Sequence, residues 1–403
     1  WNVHEESFFP KLKPLSSLTF RVSYSLTGTP PDASYCNALT KLSMNTPYRP
    51  TTTDKELGFV VAALGNDELT YEKKHEFNFG VDAGFFNNRL NVTFDVYQRR
   101  NFDEIAPTVT QLYGTAYANV GSMKSWGEEL SISSTNVKTN DFSWQTSLIY
   151  SHNRTEITDL YNQGRVIDLV QGNGFAKQGY PARALFSIPF VGINEKGNPV
   201  CINEKGQATV GDLNFQERNN TDYLIYEGST DPIYNGSLGN TFNYKGFHLN
   251  LFLTYAFGNV VRLDPVFKAK YNDLTSMTHD FKNRWMQPGD ENVTNVPGVV
   301  SRYEYEQNRT LLSTAYNAYN YTSVRTAKGD FIRLKEISLA YDFPHRWLEN
   351  SPVNNISLKL QATNLMLLYA DKKLNGQDPE FMNAGGVASP MPKQFTLTLK
   401  LGL

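Results

Sequence analysis

The chain has 403 residues, with 38 Lys+Arg against 40 Asp+Glu. That balance argues against nucleic acid as a partner, which would require a clear basic excess. No run approaches the ~18–20 apolar residues of a membrane helix, which excludes helical spans but not a β-barrel, whose alternating strands keep mean hydropathy low.

Aromatic residues make up 13%, with Phe 25, Tyr 23 and Trp 5. Girdles at two membrane interfaces would use such an excess. The chain opens at Trp1 without initiator Met, basic n-region or apolar h-region, so an export signal is expected elsewhere. Cys36 and Cys201 lie in loop-like sequence. They make no CxxC pattern, and no disulfide between them is expected.

Period-two alternation predicts twelve strands. In chain order they are Leu15–Leu26, Tyr71–Phe85, Arg89–Arg99, Met123–Val137, Asp141–Asn153, Ala184–Asn194, Pro199–Gln216, Tyr234–Tyr244, Phe247–Phe257, Phe331–Phe343, Ile356–Tyr369 and Lys393–Leu403. The last is the clearest, with Phe395, Leu397, Leu399 and Leu401 against Thr396, Thr398 and Lys400. Pro199–Gln216 is the weakest and enters because up–down parity requires another upward strand before Tyr234. Many of these runs exceed the usual ~5–6 residues of globular strands.

Connections alternate short and long. Phe86–Asn88, Val137–Asp141 and Tyr244–Gly246 are short; Gly28–Leu69, Asn101–Met123, Gly258–Gly329 and Tyr369–Pro392 are long. Short turns on one side and long loops on the other are the outer-membrane pattern. A soluble sandwich with one buried face is the alternative reading of alternation alone. The predicted fold is all-β, a transmembrane antiparallel β-barrel. Leu249, Leu251, Leu358, Leu360, Leu397 and Leu399 should face lipid, and Asn250, Lys359 and Thr398 the lumen. An open sheet leaves two unpaired edges that lipid cannot satisfy, so further strands are expected, in this polypeptide or another.

Several motifs carry a resemblance. They are Trp1-Asn-Val-His-Glu-Glu-Ser-Phe8, Leu18-Thr-Phe-Arg-Val-Ser-Tyr-Ser-Leu-Thr-Gly28, Leu69-Thr-Tyr-Glu-Lys73, Phe77-Asn-Phe-Gly-Val-Asp82 and Phe85-Phe-Asn-Asn-Arg-Leu90. Asn119-Val-Gly121, Gly127-Glu-Glu-Leu130, Arg284-Trp285, Asn364-Leu365 and Asp378-Pro-Glu380 follow in order. The most specific is Phe331-Ile-Arg-Leu-Lys-Glu-Ile-Ser-Leu-Ala-Tyr-Asp-Phe-Pro344. Together they resemble the SusC/RagA-type TonB-dependent outer-membrane transporters over nearly the whole chain. The resemblance implies a 22-stranded barrel, of which residues 1–403 are the C-terminal part, with the plug domain and N-terminal strands absent from this chain. It also implies import of oligosaccharides or peptides, energy from the TonB system and a SusD-like surface lipoprotein as lid. A passive pore and a structural scaffold are the alternatives.

Two departures from the family pattern stand out. A calcium-loop-like segment is replaced by Gly211-Asp212 and Glu217-Arg-Asn-Asn-Thr-Asp222. It has lost the turn glycine and has Thr221 where a ligand Asp would stand, so no calcium is expected there. The family usually ends in an aromatic residue, whereas this chain ends at Leu403.

No catalytic, metal or cofactor site is expected. His75-Glu76 lacks a second His four residues on, and Glu128 and Glu129 point to opposite faces of a strand. The Asn-x-Ser/Thr sequons at Asn91, Asn153 and Asn235 are read as chance. Arg262, Trp285, Arg302, Tyr303, Tyr305, Tyr316, Tyr319 and Tyr321 in Gly258–Gly329 suit stacking on sugars or peptides. Girdle or loop packing explains them as well, and no binding residue is assigned.

Overall fold

The computed structural model describes the chain apart from residues 10–13, 33–38, 46–52, 64, 111–113, 162, 273, 350–351, 385–391 and 403. Cys36 and Leu403 therefore lie outside the described residues.

Ten strands form one antiparallel sheet in which each pairs with its neighbours in chain order. They are β1 (Leu15–Thr29), β2 (Glu72–Phe85), β3 (Leu90–Thr110), β4 (Gly114–Lys138), β5 (Phe142–Leu160), β6 (Tyr234–Tyr244), β7 (Phe247–Phe257), β8 (Phe331–Asp342), β9 (Asn355–Ala370) and β10 (Gln394–Gly402). Gly258–Gly329 leaves β7 at the edge opposite the β2–β3 turn, as expected. Two turns show local causes. Lys245 and Gly246 both have positive φ (44° and 89°), the two-residue turn whose twist matches antiparallel strands. Phe86, Asn87 and Asn88 are all left-handed, which Asn tolerates and Phe does not favour.

Register aligns the alternation across strands. Trp144, Phe242, Leu249, Leu339, Leu360 and Leu397 lie directly opposite one another, neighbour to neighbour, on one face. Ser143, Asn243, His248, Ala340, Lys359 and Thr398 make the matching row on the other. The expected division into an apolar and a polar face therefore holds. Among the described residues nothing covers the apolar side at Leu360, Leu397 and Leu399, which are 54%, 69% and 58% exposed.

Aromatic residues gather at both ends of the apolar face. Trp144 stacks on Phe242 (5.7 Å), and Phe247 meets Tyr341 (4.4 Å) near the short turns. Tyr150, Tyr234, Tyr255, Phe257 and Tyr369 cluster at the far end. From Phe247 to Phe257 the strand climbs about 34 Å at ~3.4 Å per residue. A tilt of about 40° turns that into roughly 25 Å, the height of an outer-membrane apolar band.

Two expected strands are not in the sheet, so the count is ten and not twelve. β5 pairs directly with β6, His152 opposite Tyr234. Ala184–Asn194 and Pro199–Gln216 instead lie in the intervening connection, as the short strands Ala184–Ser187, Phe190–Ile193, Pro199–Ile202 and Ala208–Thr209. Ala184–Ser187 is buried at every position, which a strand with a lipid face cannot be. Parity could not expose the error, because removing an up–down pair leaves every other direction unchanged. Asn101–Met123 is likewise no loop. Most of it extends the β3–β4 hairpin, whose long strands exceed the ~9–11 residues needed to cross a bilayer.

Above the sheet the β5–β6, β7–β8 and β9–β10 connections fold into one cap. The short helix Val166–Val170 packs Val166, Leu169 and Val170 against Ala184, Phe186, Ile188, Cys201 and Leu224. Ala318, from the helix Arg309–Asn320 of the next connection, completes that core. This helix buries Leu312, Ala315, Tyr316 and Tyr319, a helical stripe. Leu374 and Met382 of the last connection pack on Val261, Leu263 and Ala327.

Position along one strand sets the depth of its apolar side chains. On β6, Leu238 lies near the middle of Tyr234–Tyr244, and Phe242 lies at the aromatic level near the short turns. Leu148, Leu238 and Leu253 share the central row. Leu238→Lys should destabilise the inserted full-length protein by about 2–4 kcal/mol, and Phe242→Lys should cost less for its charge, because it lies nearer the interface. Denaturant titration in lipid vesicles checks the order; equal costs would contradict the depth assignment.

Candidate functional site

The polar face carries charges in matched groups. Arg21 on β1 donates from Nε to Asp82 Oδ2 (2.7 Å) and from a terminal nitrogen to Asp95 Oδ2 (3.0 Å). To reach Asp95 it crosses β2 over Gly80. A Cβ there would lie 2.8 Å from Arg21 Cζ and 2.5 Å from Asp95 Oδ1, so any side chain at this position would push the Arg21 and Asp95 ends aside. Glu76 sits between Lys74 (3.0 Å) and Arg99 (3.1 Å), and the Arg99 guanidinium lies 4.2 Å over the Tyr97 ring. Near the short turns, Asn243 donates to Ser143 Oγ (2.9 Å), and His248 bridges Asn243 Oδ1 (2.6 Å) to Asp342 Oδ2 (2.9 Å). Exposed pairs of this kind contribute little stability. Their effect is a hydrophilic wall with each charge held by a partner.

Where sheet meets cap, two motifs singled out by sequence come together. Arg333, in the β8 motif, holds Asp378 of Asp378-Pro-Glu380 at 2.6 Å to both carboxylate oxygens, with Glu380 at 3.2 Å. Arg333 and Asp378 are buried. The sequence marked both segments but offered no signal that they touch. The pair ties the Asp371–Ala384 stretch to the barrel wall.

Inside the cap, Arg262 donates to the carbonyls of Thr322 (2.7 Å) and Phe186 (2.6 Å) and to Ser187 Oγ (3.1 Å). Burial pushes its pKa down to about 10, with Glu227 opposing the fall. Arg325 reaches Asp280 (3.3 Å) and the Asp264 carbonyl (3.0 Å) above the Phe267 ring. Burial lowers its pKa too, against the pull of Tyr319 and Asp280.

Most of the aromatic and basic set in Gly258–Gly329 serves packing. Arg262, Tyr316 and Tyr319 are buried. Tyr321 meets Phe215 edge-on, and Trp285 donates to Glu291 (2.9 Å) while covering Gly197 and Gly298. Tyr305 reaches Ser313 (3.3 Å), whereas Arg302 and Tyr303 are exposed. In the calcium-loop-like segment, one Glu217 oxygen accepts from the N–H groups of Arg218, Asn219 and Asn220, which hold its carboxyl below the usual range. Asp222 pairs with Lys177 at 3.0 Å. Polar side chains of Gln163, Lys177, Gln178, Asn219, Thr221 and Asp222 line a cap cavity of about 160 Å³.

No protein-family model matches the chain. SusC of Bacteroides thetaiotaomicron, a TonB-dependent receptor, is 25% identical over 430 residues, covering 100% of this chain and 39% of SusC. TonB-dependent receptor P3 of Formosa agariphila is 25% identical over 404 residues, covering 94% of this chain and 37% of the receptor. Over nearly its whole length the chain is similar to SusC/RagA-type TonB-dependent receptors. It spans about two fifths of the length of these relatives. The RagAB peptide transporter superposes with a TM-score of 0.76 at 24% identity, over 100% of this chain and 42% of that one. The RagAB importer in its open-open state gives 0.73. At that identity the likeness concerns fold, and it extends through the cap as well as the sheet.

Two outcomes follow for this chain. Arg333→Ala leaves Asp378 buried and unpaired, and should cost about 3–5 kcal/mol at the rim. Limited proteolysis of the full-length protein should then cut within Asp371–Ala384; an unchanged pattern would deny the clamp its role. The second concerns Cys201, a free, buried thiol. Burial pushes it from 9.0 up to about 12. The folded state retains a proton that the unfolded state releases, so this contribution is complete below pH 9 and is lost as pH rises toward 12. In a Cys36→Ser background the folded protein should not react with Ellman's reagent at pH 8 and should react at once in denaturant.

Proposed function

We propose that residues 1–403 are the C-terminal part of the barrel of an active importer in the Gram-negative outer membrane. It carries oligosaccharides or peptides, draws energy from the TonB system and takes a SusD-like lipoprotein as lid. The observation behind this reading is one sheet with a girdled apolar face, a charge-matched polar face and a folded cap at the long-loop end. A polar lumen suits hydrophilic cargo. The likeness to a structure named as a peptide transporter, and to SusC, supports import over a purely structural part.

The plug and the remaining strands belong to polypeptide beyond this chain. Among the described residues β10 pairs with β9 alone, and β1 pairs with β2 and, apart from a bridge from Thr19 to Asn2, with no second strand. In hydrocarbon each unpaired backbone group costs several kcal/mol, so both edges need more strands. Residues 1–403 expressed alone should give no heat-modifiable, protease-resistant species in liposomes; a stable closed barrel from them would refute the reading.

Transport itself is tested in cells. Uptake of a labelled oligosaccharide or peptide pool by the full-length receptor should stop when TonB is deleted. Uptake that continues points to a passive pore. No uptake with TonB present, in a complex that falls apart without the receptor, points to a scaffold.

A further inference from the structure

Between its aromatic ends the apolar face carries a polar interruption. Across the sheet a single row runs Leu90, Ser134, Thr146, Asn240, Leu251 and Ile337. Ser134, Thr146 and Asn240 stand between leucines on β4, β5 and β6. Their hydrogen bonds run in one direction. Ser134 Oγ donates to Asn136 Oδ1 (2.9 Å), Asn136 Nδ2 to Thr146 Oγ1 (2.7 Å) and Thr146 Oγ1 to Asn240 Oδ1 (2.8 Å). Trp144 Nε1 donates to the same Asn240 oxygen at 2.9 Å. An indole nitrogen only donates, so it fixes which end of the Asn240 amide is oxygen. The Asn240 Nδ2 group makes no hydrogen bond among the described residues. The chain thus ends in an amide with N–H groups to give and no acceptor.

Depth selects the acceptor. Asn240 stands two residues above the Trp144–Phe242 row, about 7 Å along the strand and about 5 Å deeper in the bilayer. Aromatic girdles sit at headgroup level, so the glycerol esters lie just inside them. The short turns mark this end as periplasmic, where the leaflet is phospholipid. We propose that Asn240 is a docking point for a phospholipid, its Nδ2 donating to an acyl ester carbonyl. This rests on the membrane-barrel reading above. A second copy of the chain is the less suited occupant. The polar spot is three strands wide with apolar flanks, and it presents one neutral donor and no charge to a protein surface.

The test uses the full-length receptor, first shown to be heat-modifiable. Native mass spectrometry compares a diacyl phosphatidylethanolamine with its dialkyl ether, which lacks ester carbonyls. The wild type should retain the diacyl lipid about fivefold better, the effect of one hydrogen bond. Asn240→Leu should bring the two lipids level and leave the oligomeric mass unchanged. Trp144→Phe, which frees the amide to turn, should weaken the preference. Asn250→Leu on the polar face should keep it. Equal retention by the wild type overturns the proposal. So does an Asn240→Leu protein that keeps its preference but loses oligomeric mass, which assigns the patch to a second copy. A wild type that is not heat-modifiable overturns the membrane reading itself.

Discussion

Backbone hydrogen bonding in a medium without water is the constraint on which the rest depends. A strand in hydrocarbon must find partners on both sides, because lipid offers none. The ten strands meet this by pairing in chain order, with short turns at one end. The side-chain pattern is subordinate to that ladder. Once register is set, alternation places leucines in rows on one face and hydroxyls, amides and paired charges on the other. The bulges in β8 and β9 shift register near the rim, and there Arg333 turns to meet Asp378.

The cap obeys a different physics. It lies beyond the apolar band, where water is available and burial of apolar area again drives folding. Its strands are short and its helix amphipathic, and its cores form between connections distant in sequence. Three buried arginines mark the joins. Arg262 and Arg325 satisfy backbone carbonyls between cap segments, and Arg333 joins cap to wall. An ion pair in such a place specifies which segments meet more than it adds stability. The aromatic residues of Gly258–Gly329 belong to this interior architecture, which is why composition alone pointed equally to ligand and to packing.

Sequence determined much of the sheet by itself. Seven of its ten strands could be bounded closely, as could the faces of Leu249, Leu358, Leu397 and Lys359, because a period of two is a local property. The family likeness was also legible, since its motifs lie in order along the chain. Only the tertiary structure could decide which alternating segments enter the sheet. Ala184–Asn194 alternates well enough to resemble a barrel strand, yet its first four residues are buried throughout, in a core built by the helix before them and closed by Ala318 more than a hundred residues later. The pairing of Arg333 with Asp378, the crossing of Arg21 over Gly80 and the polar run ending at Asn240 were illegible for the same reason. Each depends on register between strands, and register is a relation between segments that no single segment contains.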